Sequence, residues 1–133
     1  MLRKSIIFAA LSGGLAVIMG AFGAHKIKDL ISPQDLEIWN KGVLYQFIHA
    51  FAILAVGLIS KIHFHKTLNY ALTTFALGIL FFSGSLYILA FRNVMDLGFA
   101  VKILGPVTPI GGSLFIAGWI SLLIYGLKHS KND

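Results

Sequence analysis

The amino-acid sequence predicts an all-α integral membrane protein, a bundle of four transmembrane helices with a short interfacial helical segment ahead of the second span. Three observations carry this. Of the 133 residues, 57% are apolar, above the roughly half found in soluble domains. Only 12% are charged, where soluble domains carry about a quarter. The apolar residues also fall in long unbroken runs. Hydrocarbon offers the backbone no hydrogen-bond partner, so only helices or closed barrels span it, and a barrel would show short segments of alternating polarity. The length allows one transmembrane domain, residues 1–133.

The first apolar stretch covers residues 5–24, about 30 Å of helix and so about the hydrocarbon thickness. Its start, Met1-Leu2-Arg3-Lys4 followed by Ile6, Ile7 and Phe8, also resembles a signal peptide, with cleavage near Ala21-Phe22-Gly23. The apolar region exceeds the usual length of about 7–15 residues, so a retained span is the favoured reading. In Ser32-Pro33-Gln34-Asp35 a capping Ser, a Pro at the first helical position and an acid in the first turn start a helix. That helix passes Trp39 at the interface and continues into the second span, residues 42–60. After the basic connection Lys61-Ile62-His63-Phe64-His65-Lys66, the third span takes residues 68–91, bounded by Tyr70 and by Arg92-Asn93. Two prolines and three glycines in residues 104–112 argue against a regular helix there. The fourth span is accordingly placed at 109–127, with Lys128 and His129 at its C-terminal end.

The net charge of +6 does not point to nucleic acid. Arg3, Lys4, Lys61, Lys66, Lys128 and Lys131 flank apolar runs instead of forming a basic stripe, as membrane anchors do. Four spans put these six on one side with both termini, against Lys26, Lys28, Lys41, Arg92 and Lys102 on the other. The positive-inside rule then favours cytoplasmic termini by a small margin. With no cysteine, disulfides, thiol catalysis, thiolate metal sites and cysteine-linked lipids are excluded.

Small residues line faces of three spans: Ala16, Gly20 and Ala24 with Gly13 in the first, Gly78 and Ser85 in the third, Gly111 and Gly118 in the fourth. These suit close helix packing, within the bundle or between subunits. Gln46 and His49 lie three apart in the second span and so share a face, which must turn toward protein or water. Ser83, Ser85 and Tyr87 offer hydroxyls from the third span in different directions, and Ser85, in line with Gly78, is the expected partner. The candidate intramembrane site is therefore Gln46, His49 and Ser85, with His25, Ser83, Tyr87 and Thr108 as secondary candidates. For His49 the functional reading is a proton-accepting or ligand-binding group in a polar cavity. The plainer reading, a neutral histidine bonded to a neighbouring hydroxyl, is favoured. A histidine metal site is disfavoured, because His63 and His65 sit on a loop while His25 and His129 lie at other boundaries. A break at residues 105–112 would expose N–H groups to an anion or lipid phosphate, with Thr108 as a cap before Pro109. A simpler alternative is a Pro-initiated helix start at the membrane surface. No nucleophile elbow, phosphate loop or carboxylate pair occurs, so no catalytic residue and no cofactor is predicted.

The ordered blocks Gly20-Ala21-Phe22-Gly23-Ala24-His25, Trp39 with Gly42, Tyr45-Gln46 and His49-Ala50, Phe82-Ser83-Gly84-Ser85-Leu86-Tyr87, Gly105-Pro106 with Pro109-Ile110-Gly111-Gly112, and Gly118-Trp119 resemble the DUF423 family. That family includes the UPF0382 proteins of the bacterial inner membrane and is similar to transmembrane protein 256. The resemblance covers essentially the whole chain. It implies a multi-pass inner-membrane protein of uncharacterised function, with no assigned cofactor or catalytic residue. Two functional classes follow from the residues. In one, the protein binds or passes a small molecule, proton or lipid at the inward polar site. In the other, it is a structural or accessory subunit that assembles with itself or a membrane partner.

Overall fold

The computed structural model describes residues 1–129. Helix α1 spans Leu2–His25, and a 3-10 turn at Ile27–Asp29 leads to α2, Pro33–Ile62. Then come α3 (Lys66–Gly78), a π-helical segment (Ile79–Ser83), α4 (Gly84–Leu89) and α5 (Gly98–His129), with no strand among the described residues. The segments from Lys66 to Leu89 run on as one span, so four helices are long and apolar enough to cross a membrane. Lys131 lies outside the described residues.

The start of α2 follows from local chemistry. Ser32 is the N-cap, its Oγ accepting from the Asp35 N–H at 3.1 Å, and Pro33 follows it. From there α2 continues unbroken through Trp39 and Gly42. It occupies the middle of the bundle: α1 packs on α2, while the third span packs on both α2 and α5. One apolar core, built on Ile53, Val56, Leu68, Phe75 and Phe115, lies toward the chain termini. Met1 and Tyr125 border it, and the Tyr125 hydroxyl donates to the His63 carbonyl at 3.3 Å. A second core, of Ile27, Ile31, Trp39 and Ala90, closes the opposite end. Outward residues such as Leu11, Val17, Phe51, Leu80, Ile116 and Leu123 are exposed, as expected where the solvent is lipid.

The contact between the third span and α5 is built from phenylalanines set on glycines. A Cβ at Gly78 would meet the Phe115 ring, one at Gly118 the Phe75 ring, and one at Gly111 the backbone nitrogen of Phe82. Only the missing side chains let the two helices come this close.

One expectation is corrected. Residues 105–112 are not a break but part of α5, which begins at Gly98 and carries Pro106 and Pro109 inside it. Proline removes one N–H each time and so frees the carbonyl four residues before it, here those of Lys102 and Gly105, a loss that membrane spans tolerate. Thr108 Oγ1 donates to the Leu104 carbonyl at 3.2 Å and Ser113 Oγ to the Pro109 carbonyl at 2.9 Å. No exposed helix start is therefore present at Pro109, and Thr108 caps nothing.

Candidate functional site

Gln46, near the middle of α2, bridges three helices. Its Nε2 donates to the Ser12 carbonyl of α1 at 2.8 Å, and its Oε1 accepts from the Tyr87 hydroxyl of α4 at 2.9 Å. A carbonyl can only accept, so the NH2 group must face Ser12 and the oxygen must face Tyr87. The Tyr87 ring is held against Trp39 with centroids 4.7 Å apart. Trp39 is itself buried, donating Nε1–H to the Met19 carbonyl at 2.9 Å, so it binds α1 instead of facing headgroups.

His49 lies one turn further along α2, and its hydrogen bonds fix its tautomer. Nδ1 sits 2.8 Å from the Tyr45 carbonyl, so the proton is on Nδ1. That leaves Nε2 as the acceptor, and it receives the indole N–H of Trp119 from α5 at 3.2 Å. The ring stacks on Phe115 at 3.5 Å and also faces Phe75 and Tyr45. At 3% exposure, with both nitrogens engaged, it is a packed neutral histidine that ties α2 to α5.

Ser85 does not join them. Its hydroxyl pairs with Thr108 Oγ1 at 2.7 Å, linking α4 to α5. The line through Gly78 and Ser85 is the α5-facing side of the third span, as the Gly78–Phe115 contact shows. Tyr87, two residues on, points to α2 and is the partner that Gln46 receives. The expected site thus separates into a Gln46–Tyr87–Ser12 group, a His49–Trp119 pair and a Ser85–Thr108 pair. Ser83 is buried and its hydroxyl has no partner among the described residues. His25 is exposed at the end of α1, apart from the rest.

Sequence reasoning did not single out an ion pair. Asp35, 1% exposed, lies 2.7 Å from Arg92 and accepts from Asn93 at 2.9 Å. The Arg92 approach to Oδ1 is off the hydrogen-bond line, so charge holds that oxygen. This ties the start of α2 to the segment after α4. Two apolar run ends with opposite charges, 57 residues apart, carry no local signal of the pairing.

Beside the Gln46 group, α1 and the third span diverge over α2 and leave a groove of about 490 Å³. Its walls are apolar, including Phe8, Leu11, Leu15, Leu77 and Leu80, and Ser12, Gln46 and Tyr87 form its polar part. Ser12 is 8% exposed and its hydroxyl has no hydrogen-bond partner among the described residues. Gly84 borders the groove, and a Cβ there would meet nothing within 4 Å. No group of three or more histidines, aspartates or glutamates able to hold a metal occurs among the described residues.

The family model described as "Protein of unknown function (DUF423)" matches residues 19–112. The chain belongs to the DUF423 family. It is 46% identical over 129 residues to a UPF0382 membrane protein of Staphylococcus epidermidis, covering 97% of this chain and 99% of that one. A UPF0382 membrane protein of Haemophilus influenzae is 40% identical over 132 residues, with 99% of each chain covered. The UPF0382 membrane protein YwdK of Bacillus subtilis is 36% identical over 129 residues, with 96% and 99% covered. No solved structure matches. Family and fold agree on a multi-pass membrane protein, and the family description indicates no catalytic activity.

Proposed function

We propose that this protein binds a small, mostly apolar molecule that enters sideways from the bilayer into the groove between α1 and the third span. The carrying observation is the Ser12 hydroxyl, more than nine-tenths buried and unpartnered, beside Gln46 and Tyr87 in an otherwise apolar groove. An unpaired hydroxyl away from water costs about 1–3 kcal/mol on protein mutational scales, a cost that a bound molecule with a polar atom would relieve. His49 is not part of this site, since its two nitrogens are spent on Tyr45 and Trp119.

The proposed setting is a bacterial inner membrane with both termini cytoplasmic. Arg3, Lys4, Lys61, Lys66 and Lys128 favour that side, while Arg92 on the other is held by Asp35. A second reading, a structural or accessory subunit, is favoured by the position of α1. Its main packing partner among the described residues is α2, and it leaves Leu11 and Val17 exposed, free to meet lipid or another chain, including a second copy.

The test is extraction into native nanodiscs and measurement of small molecules retained per chain. Gly84→Leu should fill the groove without a clash at its first atom and reduce retention at least tenfold in a protein of normal stability. Retention unchanged by Gly84→Leu would sink the binding reading and leave the subunit reading in its place.

A further inference from the structure

Resting on that reading, we infer that the molecule held is an uncharged lipophile with a single carbonyl or hydroxyl oxygen, seated near the bilayer centre at Ser12, Gln46 and Tyr87. The argument begins with depth. Ser12 is the eleventh residue of the 24-residue α1 and Gln46 the fourteenth of the 30-residue α2, so the polar group lies about 15–20 Å from either helix start. A phospholipid headgroup could reach it only by drawing its charge into hydrocarbon. Among the described residues no Lys, Arg, Asp, Glu or His lines the groove, so no charge there would compensate that of a headgroup. An ion or a protonated group is disfavoured on the same ground.

The hydrogen-bonding capacity left over specifies the rest. Each of the two bonds of Gln46 uses one of its sites, and its amide keeps one further N–H and one further lone pair. Tyr87 donates its only O–H to Gln46 but keeps oxygen lone pairs, and the Ser12 hydroxyl is uncommitted in both directions. A carbonyl oxygen can accept from the spare Gln46 N–H or from the Ser12 O–H. A hydroxyl can in addition donate to Tyr87 or to Gln46 Oε1. The lining runs from Ala76 to Tyr87 along the third span, about 16 Å of helix, a length that suits an extended hydrocarbon chain.

The experiment compares dodecanol and methyl decyl ketone with dodecane and with phosphatidylglycerol, added to the full-length protein in nanodiscs of phosphatidylcholine. Binding is read as the ligand-dependent rise in unfolding temperature. The alcohol and the ketone should stabilise the protein at concentrations where dodecane does not. Ser12→Ala breaks no side-chain hydrogen bond of the fold, so it should fold normally and weaken both by about fivefold, the value of one hydrogen bond. Gly84→Leu should abolish the effect of both. If dodecane stabilises as well as the alcohol and Gly84→Leu abolishes both, the groove binds but the inferred oxygen is wrong. Stabilisation by phosphatidylglycerol alone would overturn the uncharged class. Two chains per particle by native mass spectrometry, with no response to any probe, would mean that a second copy fills the groove, and both readings would fall.

Discussion

Replacing Tyr87 with Phe and Gln46 with Met, singly and together, measures the bond that joins α2 to α4. Tyr87→Phe keeps the ring against Trp39 and removes only the hydroxyl that donates to Gln46 at 2.9 Å. Gln46, 3% exposed, then holds a carbonyl oxygen with no donor, a loss of about 1–3 kcal/mol in a dry interior. Gln46→Met orphans the Tyr87 hydroxyl by the same argument and also removes the bond to the Ser12 carbonyl. The Ser12 carbonyl suffers less, because the helix supplies it with the N–H four residues on. In the double variant neither orphan exists, so the two losses should not add. Double-mutant cycles in a membrane protein average about 0.6 kcal/mol with a maximum near 1.7, because the membrane-unfolded state finds other partners. A buried bond of good length places this coupling in the upper half, about 1–1.7 kcal/mol. The assay is reversible unfolding in ligand-free bicelles with the four proteins side by side. Additive losses, within about 0.3 kcal/mol, would refute the Gln46–Tyr87 pairing and the placement of the groove's polar part with it.

Other consequences are independent of that bond. Gly111→Ala sets a methyl against the Phe82 backbone, which cannot yield as a side chain can, and should cost about 1–3 kcal/mol. Gly14→Ala, with nothing within 4 Å, should be neutral or stabilising by up to about 1 kcal/mol; equal unfolding temperatures for the two would contradict the close α5 contact. Arg92→Met leaves the Asp35 carboxylate buried with only Asn93 beside it. The loss should approach but not reach the roughly 3–5 kcal/mol of a fully buried pair, since Arg92 is 29% exposed. Asp35→Asn should be milder in the same unfolding assay, and the reverse order would refute a charge-held latch. In this cysteine-free chain, His49→Cys in intact membranes should resist a water-soluble thiol reagent while Phe64→Cys, on an exposed loop position, reacts. Labelling at position 49 in a folded protein would show water where the structure has a packed ring.

How far the sequence reveals this molecule depends on whether a feature is written locally. Long apolar runs and the Ser32-Pro33 start of α2 are local, and the four spans follow from them. The spacing of Gln46 and His49 correctly puts both inside. Which side chains they meet depends on the rotation of the other helices about their axes, which no local spacing encodes. A reading by regular helical spacing assigns Ser85 to Gln46 because it aligns with Gly78, yet that line faces α5. Prolines 106 and 109 mislead for a related reason. Their penalty comes from lost backbone bonds, yet α5 runs through both of them from Gly98 to His129, as membrane spans tolerate more readily than helices in water.

The same distinction separates the packed polar residues from the binding candidate. A buried polar side chain in a span suggests function because it is costly to place there, but His49 repays its cost inside the bundle, through Tyr45 and Trp119. Ser12 draws no notice in the sequence, being one small residue among many in the first span. Its hydroxyl becomes informative only when the fold buries it without a partner beside the spare N–H of Gln46 and the spare lone pairs of Tyr87. Unspent hydrogen-bonding capacity bordering a groove that opens to lipid is therefore the better marker of a site than the most polar residue in the span. The contrast is testable: His49→Ala should lower stability and leave ligand-dependent stabilisation intact, while Ser12→Ala should do the opposite.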